Sequence, residues 1–469
     1  EYLCVDCNAA QAFIQTIINY YNSMLYYCFI IIYCCYTCNS EQTGDNVMGK
    51  LHIQCFWQSS LKASLVGLLL TTLSGCQLWE MARYQWHNAD AEAGWQDGQS
   101  YVALPFKKVN EHILVTVSVN AGPPMTFVLD SGASATVITE TAATNKLKLP
   151  KDNPITISGQ GNDGDPTAFV VHDVRIDVGD FFIKGMSVIY APTDAMPFDS
   201  PAETYFDGVL GADFFNCCLV EINHDQQTLY LSKPGTEKQR HYDQNNWQKL
   251  AIDVEGNTPY LTTQIDDGQS TKQVKVMLDT GSTGTLSLFA GNGDFALPEK
   301  IYMGRSTGIS GDSENHVGLL KGMAFGKHKF NDFPSAFRLQ GSPPQNGSHG
   351  VLGNQILQRF NMVFDFTNQL IWLQPNETYL SAIEVDRSGL RVLPHTLGGI
   401  VKDIAPGTAA ALLNIPKNSI ITRINEQRLT VDNFDNLTGL LNTSTRSQVS
   451  LCWQEGSAQC GTLLLKSRL

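Results

Sequence analysis

Two carboxylates, Asp130 and Asp279, each follow an apolar run and enter a turn of small residues. Asp279 lies within VKVMLDTGSTGTLSL (Val274–Leu288), and Asp130 lies 149 residues earlier, within MTFVLDSGASATVI (Met125–Ile138). An apolar run that ends in Asp-[Ser/Thr]-Gly predicts a strand leading into a tight turn, because glycine tolerates backbone angles that a side chain forbids. A single Asp of this kind commonly forms a turn with its own backbone. Here the pattern occurs twice, so a paired role for the carboxylates is expected.

The sequence that follows the two carboxylates is duplicated as well. DGVLG at Asp207–Gly211 corresponds to HGVLG at His349–Gly353, and from there the copies continue without a gap at a constant offset of 142 residues. Between the Asp turn and this motif, each copy has a glycine-rich polar stretch, Ile157–Gly164 and Ile309–Gly318, that is typical of a hairpin. Three ordered elements therefore recur, which indicates an internal duplication.

This ordered set of motifs resembles the aspartic proteases in their compact, retropepsin-like form, over about Leu104–Pro375. The resemblance implies a mainly β protein in which two retropepsin-like lobes form a pseudo-dimer and the turns of Asp130 and Asp279 meet. It also implies that Ser131 and Thr280 cross-brace the two turns through their hydroxyl groups. The residues expected to support the dyad are Ser131, Gly132, Thr280, Gly281 and Ser282, and those of the two flaps are Ser158, Gly159, Gly161, Ser310 and Gly311.

The chemistry requires such a geometry. Two carboxylates about 3 Å apart cannot both ionise, so they share one proton and titrate as a pair. One carboxylate then acts as a base on a water molecule, while the other acts as an acid on the carbonyl oxygen of a polypeptide substrate. This reaction needs no cofactor and no metal, and the chain has no HExxH zinc motif. We assign the dyad jointly to Asp130 and Asp279 and leave open which of them is the base.

The motifs differ between the two copies at one position, and the flaps depart from the family pattern at another. Ala133 follows the first Asp-Ser-Gly, whereas Ser282 follows the second Asp-Thr-Gly, so we expect the Ser282 hydroxyl to donate a further hydrogen bond to Asp279 and to bias the shared proton. Many two-lobed members of the family carry an aromatic residue at the flap tip. Neither glycine-rich stretch contains a tyrosine, and Tyr302 is the nearest candidate.

Two other functions fit parts of the sequence. A catalytically silent scaffold could keep the lobes for peptide binding alone, but both Asp-[Ser/Thr]-Gly triplets are intact. The DTGSTGT segment also fits the phosphate-binding turn of actin-like and sugar-kinase folds, which would make the protein a phosphotransferase. The duplicated VLG and hairpin motifs have no role in those folds, so this alternative is the weaker one.

Length and charge constrain the organisation of the chain. The 469 residues, 43% of them hydrophobic, suffice for two or three globular domains. The net charge of −13 provides no basic surface for nucleic acid. We expect a monomeric pseudo-dimer, because a linker holds the second lobe at high effective concentration; a swapped dimer is the alternative. The predicted segments are the first lobe at 101–232, the linker at 233–249 and the second lobe at 250–374.

The N-terminal part of the sequence has the marks of export. Residues 1–47 contain six of the twelve cysteines and only a short apolar run, and we interpret them as a non-native extension before a translation start at Met48; a Cys-rich anchor is the alternative. The following basic segment, apolar core and Leu-Ser-Gly-Cys resemble a bacterial lipoprotein signal, which assigns 48–75 to a signal peptide and lipidation to Cys76. Lipidation implies a membrane anchor, and the glutamine after the cysteine favours the outer membrane of a Gram-negative envelope, facing the periplasm. Residues 76–100 are expected to be a polar tether.

The C-terminal segment 388–469 forms a further predicted module. Leu397–Leu429 reads as strand, Pro-Gly turn, Ala-rich helix and strand, and its order of motifs resembles an α/β PDZ domain of the bacterial periplasmic protease type. The resemblance implies that a peptide C-terminus binds as an extra strand, with Gly389 and Leu390 in the loop that captures its carboxylate. The alternative is a module that merely packs on the lobes.

Two pairs of cysteines follow Met48 in strand-like segments. Cys452 and Cys460 are equidistant from the centre of a predicted hairpin, SLCWQEGSAQCGTLLL, and a disulfide between them is plausible in an oxidising compartment. Cys217 and Cys218 are adjacent, which strains a mutual disulfide, and their apolar surroundings favour ordinary burial.

Overall fold

The computed structural model describes the C-terminal four-fifths of the chain, and Gln77–Leu469 forms one compact unit. The predicted extension 1–47, the signal peptide 48–75 and Cys76 lie outside the described residues. Within the described part, no helix is both long enough and apolar enough to cross a bilayer. The described residues are 83–196, 203–235, 241–242, 246–341, 344–443 and 445–469.

The first sheet contains nine described strands, all from the first copy of the duplicated sequence and the residues just before it. Its strands have β-branched residues at alternate positions, so one face of each strand enters the core. In β4 the side chains of Ile113, Val115 and Val117 are buried, whereas Thr116 is exposed. The strands are β1 (Glu92–Trp95), β3 (Lys107–Val109), β4 (His112–Val119), β5 (Met125–Leu129), β6 (Val137–Thr139), β7 (Pro154–Thr156), β8 (Thr167–Val178), β9 (Phe181–Ala191) and β10 (Gly208–Leu210).

The second sheet has eight described strands from the second copy and repeats the central pairings of the first. β10 pairs in parallel with β5, aligning Leu210 with Leu129, and β21 pairs in parallel with β16, aligning Leu352 with Leu278. The VLG motif therefore has the same place in both copies. The strands are β14 (Asp253–Glu255), β15 (Thr258–Asp266), β16 (Thr271–Leu278), β17 (Leu286–Phe289), β18 (Ile301–Gly308), β19 (Gly311–Phe325), β20 (His328–Arg338) and β21 (Gly350–Leu352).

A shared sheet of six described strands joins the two copies. Its central pair is β11 with β22, and Glu221 of the first copy lies opposite its equivalent, Val363, of the second. Because the antiparallel pairing is centred on two equivalent residues, the two copies are related by an approximate twofold axis at this pair. The strands are β2 (Tyr101–Pro105), β11 (Leu219–Asn223), β12 (Thr228–Ser232), β13 (Gln248–Ala251), β22 (Phe360–Asp365) and β23 (Leu370–Pro375), and the short helices α1 (Ala212–Phe215) and α2 (Asn354–Leu357) precede β11 and β22.

One apolar core extends from the first sheet through the shared sheet to the second. Aromatic rings join the copies at its centre, where Phe215 packs edge-to-face on Phe364 with ring centroids 5.3 Å apart and is stacked on Phe366. Such burial of large side chains contributes about 1.5–3 kcal/mol for each residue. The two copies are therefore held together by a common core as well as by a common sheet.

The C-terminal sheet has its own core and packs on the first copy. Val128 and Phe206 of the first copy belong to that core, and a buried ion pair joins Lys402 to Glu203, with 2.6 Å between Nζ and Oε2. The strands are β24 (Leu390–His395), β25 (Gly398–Ile404), β26 (Ile420–Ile424), β27 (Gln427–Arg428), β28 (Gln448–Glu455) and β29 (Ser457–Leu464), with the helices α3 (Ala409–Leu412) and α4 (Phe434–Thr438). Among the described residues of the chain, the 3-10 turns are Gln96–Gly98, Thr144–Leu147, Thr193–Ala195, Val431–Asn433 and Gly439–Leu441.

The tether predicted at 76–100 is wrong for its described part. Residues 83–89 are helical, and Tyr84 is buried with its hydroxyl donating a 2.7 Å hydrogen bond to Asp213 of α1. Strand β1 then pairs with β9. Polar composition suggested a free spacer, but Tyr84 is buried and the Trp95 indole donates to the carbonyl of Leu231. Trp86, in contrast, is exposed.

The linker predicted at 233–249 is also shorter than expected. Its last two residues belong to β13, which pairs with β23. Tyr242 is buried, and its hydroxyl donates a 2.5 Å hydrogen bond to Glu221 of the shared sheet. The aromatic residues in this polar segment therefore pack on the shared sheet.

Candidate active site

Each dyad carboxylate is held by the backbone of its own turn. β5 and β16 deliver Asp130 and Asp279 to equivalent positions, one residue after the last buried leucine of each strand. Oδ1 of Asp130 accepts hydrogen bonds from the amides of Gly132 (2.8 Å) and Ala133 (3.1 Å). Oδ1 of Asp279 likewise accepts one from Gly281 at 2.9 Å. These charge-assisted bonds fix one oxygen of each carboxyl group and leave the other for chemistry.

The structure does not show the hydrogen bond that we expected from the Ser282 hydroxyl to Asp279. Its backbone amide, not its hydroxyl, donates to Oδ1 of Asp279 at 2.9 Å, as the amide of Ala133 does to Asp130. Among the described residues, the Ser282 hydroxyl makes no hydrogen bond to Asp279. The bond depends on backbone geometry, so the identity of the fourth residue of the turn does not distinguish the two sides.

The turns are joined by a reciprocal set of hydrogen bonds between buried hydroxyl groups. The hydroxyl of Ser131 donates to the carbonyl of Leu278 (2.7 Å) and accepts from the amide of Thr280 (3.1 Å). The hydroxyl of Thr280 donates to the carbonyl of Leu129 (2.8 Å) and accepts from the amide of Ser131 (3.0 Å). Both side chains are essentially inaccessible to solvent, so every donor and acceptor that they bury has a partner. The brace fixes the separation of the two copies at the dyad.

Gly132 and Gly281 allow the carboxyl groups to meet. A Cβ atom on Gly132 would lie 2.4 Å from Cγ of Asp279, and one on Gly281 would lie 2.3 Å from Cγ of Asp130. Real Cβ contacts are never so short, so each glycine is required by the carboxyl group of the opposite turn.

The Asp279 carboxyl group is close enough to that of Asp130 for the two to interact electrostatically. Burial raises the pKa of Asp279 well above its ordinary value, and the neighbouring Asp130 carboxylate raises it further. Two adjacent carboxylates cannot both be charged at low cost, so the protonated form of Asp279 is favoured.

The two flap segments meet each other through their tips. The Gly159 amide donates to the Ser310 hydroxyl (3.0 Å), and that hydroxyl donates to Asp165 (2.6 Å). The amide of Asp163 donates to the carbonyl of Ser310 at 2.8 Å. The first flap is a ten-residue loop between β7 and β8, and a Cβ atom on its Gly161 would lie 2.1 Å from the carbonyl carbon of Ser310.

The predicted extent of the second flap needs correction. Its tip is Ile309–Ser310, because β18 and β19 pair from Gly308 and Gly311 back to Ile301 and Gly318. The glycines that suggested a loop up to Gly318 therefore lie within a strand, where the missing side chains admit close neighbours. Ser158 lies in the first flap beside Gly159 and lines the same cleft.

Tyr302, the nearest candidate for an aromatic residue of the flap, is covered by Arg468. The guanidinium of Arg468 lies over its ring at 3.7 Å from the centroid and also pairs with Asp386. Arg391 of β24 donates a 2.6 Å hydrogen bond to the hydroxyl of Thr307 near the same flap tip. The C-terminal sheet thus contacts the second flap directly.

His112 is a site residue that the sequence did not reveal. Its ring bridges the carbonyl of Gly281 at Nε2 (2.8 Å) and the hydroxyl of Tyr205 at Nδ1. A carbonyl only accepts hydrogen bonds, so Nε2 carries the proton and Nδ1 accepts from the tyrosine. Burial lowers the pKa of His112, which favours this neutral form. Two residues before His112, the amide of Asn110 donates to Asp435 of α4 at 2.6 Å. No sequence motif marks this isolated histidine.

One open cleft of about 1920 Å³ is lined by the dyad, both flaps and β24. This volume exceeds the 300–1,000 Å³ of typical small-molecule sites, so the cleft has room for an extended polypeptide. No group of three or more metal-binding side chains occurs among the residues that the structure describes.

The loop predicted to capture a peptide carboxylate is occupied by the chain itself. The amides of Ser388 and Gly389 donate to Oδ1 of Asp386, and the amide of Leu390 donates to the Ser388 hydroxyl, each at 3.0 Å. A carboxylate of the protein therefore takes the place that the resemblance assigned to a ligand.

At the other end of this sheet, Cys452 and Cys460 face each other across β28 and β29 and form a disulfide. Cys217 and Cys218 are free.

Two of three comparisons with known proteins give a match. Residues 115–214 match the aspartyl protease family model, a segment that contains Asp130, the first flap and β10. Among solved structures, an aspartic proteinase from Irpex lacteus is similar over 61% of this chain and 100% of its own, at 13% identity and a TM-score of 0.39. The comparison with curated proteins gives no match. The chain is mainly β, and the family match covers residues 115–214 of it.

Proposed function

We propose that the protein is an aspartic endopeptidase in which Asp130 and Asp279 form one dyad. The observation that carries this proposal is the meeting of two carboxyl groups in matching turns, joined by the Ser131–Thr280 brace. A scaffold that binds peptides alone has no use for a carboxyl pair held at such electrostatic cost.

The reaction follows from the shared proton. The ionised carboxyl group takes a proton from a water molecule as the water oxygen attacks the peptide carbonyl carbon, and the protonated one gives its proton to the carbonyl oxygen. One hydroxyl of the resulting diol returns its proton to the ionised carboxylate as the C–N bond breaks. The leaving nitrogen takes the proton of the other carboxyl group, so the dyad again holds one proton. Amide donors on one oxygen of each carboxyl group keep the other oxygens directed at substrate.

We place both active-site halves in one monomer, as a pseudo-dimer of two lobes. The symmetric pairing of β11 with β22 and the common core support this arrangement. The phosphotransferase alternative loses support, because the segment after Asp279 hydrogen-bonds to the opposite turn and to Pro334, so it does not form an open phosphate loop.

The test uses the compact unit Gln77–Leu469 with a denatured protein as substrate, from about pH 3 to 8. Cleavage should be lost in Asp130→Asn and in Asp279→Asn and retained in Asp253→Asn, which changes an exposed aspartate of β14. Binding of a polypeptide without cleavage by the parent protein would support the silent scaffold, and loss in only one dyad variant would contradict a shared dyad.

For the C-terminal module, we propose a PDZ-like role in which a polypeptide adds to the edge strand β24. The order of strands and short helices and the position of β24 at the edge of its sheet support this role. Capture of a C-terminal carboxylate would require Asp386 to leave the loop. A labelled peptide should therefore bind more tightly with a free C-terminus than with an amidated one, and Asp386→Asn should increase this difference in affinity. Equal binding of the two peptides would mean that the module adds a strand without recognising the C-terminal carboxylate.

We also propose that the mature protein is a lipoprotein at Cys76, anchored in the outer membrane of a Gram-negative envelope and facing the periplasm. The Leu-Ser-Gly-Cys motif supports this location. In a bacterial host, the parent chain should incorporate labelled fatty acid and sediment with the outer membrane, and Cys76→Ser should do neither. Fatty-acid labelling that persists in Cys76→Ser would exclude this site.

A further inference from the structure

Four arginines line the central cleft, and three of them have a polar partner. The guanidinium of Arg305 pairs with Glu314 at 3.2 Å, that of Arg391 donates to Thr307, and that of Arg468 pairs with Asp386. The fourth is Arg338, at the end of β20. Among the described residues, its guanidinium has no hydrogen bond and no ion pair.

Arg338 is held in a defined place nevertheless. Its guanidinium lies over the ring of Phe289, 5.2 Å from the ring centroid, and Nη1 would be 3.6 Å from a Cβ atom on Gly341. The side chain is half-buried, and burial lowers the pKa of Arg338, because no acidic group offsets the lost hydration. A preformed, poorly hydrated cation in a cleft is a site for an anion.

The strand register shows that Arg338 points into the cleft. Leu288 and Phe337 pair and are fully buried, so their neighbours Phe289 and Arg338 are on the opposite face of the second sheet. Ser287 and Ala336, two residues back on the same face, line the cleft as well. The cation is therefore part of the same surface that a substrate bound at the dyad would cover.

The register also gives the distance from the dyad. When the strand pairing is followed across the sheet from Asp279, through β21 and β17, it reaches β20 at Pro334. Pro334 is four residues before Arg338. At about 3.3 Å per residue along the strands and about 4.8 Å between strands, the two Cα atoms are roughly 19 Å apart. Since an extended substrate also advances about 3.3 Å per residue, the group that Arg338 meets lies roughly four to six residues from the scissile bond.

We propose that Arg338 is a specificity-determining residue that binds a carboxylate side chain of the substrate. Its ligand is an Asp or Glu residue, which a guanidinium can hold through two parallel hydrogen bonds. This inference rests on the proposed protease function, and it names the class of substrate as polypeptides with an acidic residue at one remote position.

The experiment uses Gln77–Leu469 and a set of otherwise neutral peptides in which one Glu is moved along the chain, each with a Gln partner. The parent should cleave the Glu peptide about ten- to a hundredfold better in kcat/KM at one position only, as expected for a charge-assisted pair. In Arg338→Gln that ratio should fall to near one. In Arg338→Glu it should invert in favour of a Lys peptide. Arg305→Gln, which removes a cleft arginine that already has a partner, should keep the ratio of the parent.

A second readout does not depend on turnover. The same peptides are titrated, by fluorescence anisotropy, into Asp279→Asn with Arg338 present or replaced by Gln. Tighter binding of the Glu peptide that requires Arg338 would support the inference even if the parent cleaved nothing, in which case only the protease function would fail. Cleavage by the parent with no Glu preference, or with one that survives in Arg338→Gln, would overturn the inference and leave the protease function standing.

Discussion

Gly132 and Gly281 each pack against the carboxyl group of the opposite turn, so neither position is free to acquire a side chain. The requirement is reciprocal and arises from the contact between the copies. Within one copy the turn could form with alanine, since neither glycine has a positive φ. These glycines therefore mark the place where two separate turns become one site.

Gly281→Ala should abolish proteolysis. The new methyl group would overlap the Asp130 carboxyl group and force the two turns apart, and a displacement of about 1 Å at reacting groups can cost on the order of a hundredfold in rate. Gly284→Ala is the matched control, because a Cβ atom there meets nothing within 4 Å. Comparable kcat values for the two variants would contradict the contact between Gly281 and Asp130.

Asp279→Asn should stabilise the fold more strongly as the pH rises. Burial and the Asp130 charge raise the folded-state pKa of Asp279, so the contribution of this carboxyl group is fully favourable below its unfolded pKa of about 4. That contribution is lost as the pH rises through the raised pKa, whereas asparagine does not titrate. The difference in Tm between variant and parent, measured from about pH 3 to 8, should grow with pH; a constant difference would show that the carboxyl is not strained.

His112 should act as a positioning residue for the Asp279 turn. His112→Ala removes the donor to the Gly281 carbonyl and should lower kcat by roughly ten- to a hundredfold with little change in KM. His112→Gln, whose amide nitrogen can reach the place of Nε2, should recover part of the loss. Equal losses for both variants, or a loss confined to KM, would indicate that the histidine only fills space.

At the scale of elements, the duplicated strands and the VLG motif could be predicted because local residues determine them. Apolar runs before each Asp and the hairpin signals have short-range causes. The exact tip of the second flap could not be predicted in this way. Gly311 and Gly318 resemble loop glycines in sequence, but they pair within strands. Asp163 and Pro298, which are distant in sequence, approach the backbone there.

Ser310→Ala should loosen the contact between the flaps. The variant loses the acceptor for the Gly159 amide and the donor to Asp165, each bond contributing about 1 kcal/mol. Amide hydrogen exchange in 157–166 should become at least about fivefold faster, while the strands of the shared sheet remain unchanged. Ser457→Ala, at an exposed hairpin end, is the control, and unchanged exchange in Ser310→Ala would mean that the flaps are held by other contacts.

At the scale of the whole molecule, the order of the segments could be predicted but their docking could not. Composition suggested a free tether at 76–100, because the sequence does not show that Tyr84 contacts Asp213, more than a hundred residues away. The same holds for the C-terminal sheet. Its strands are apparent from local patterns, but its contact with Phe206 and the second flap depends on residues brought together only by the fold.

The ion pair between Glu203 and Lys402 should hold the C-terminal sheet on the first copy. Both side chains are at least 90% buried, so Glu203→Gln removes the charge opposite the buried Lys402 ammonium and should cost about 3–5 kcal/mol. The loss is measured by urea denaturation with the buried Trp453 as a reporter. Glu203→Gln combined with Lys402→Met removes both charges and should recover most of that loss. If the double variant is as unstable as the single one, the attraction between the charges is not what docks the sheet, and apolar packing around Phe206 would have to account for its position.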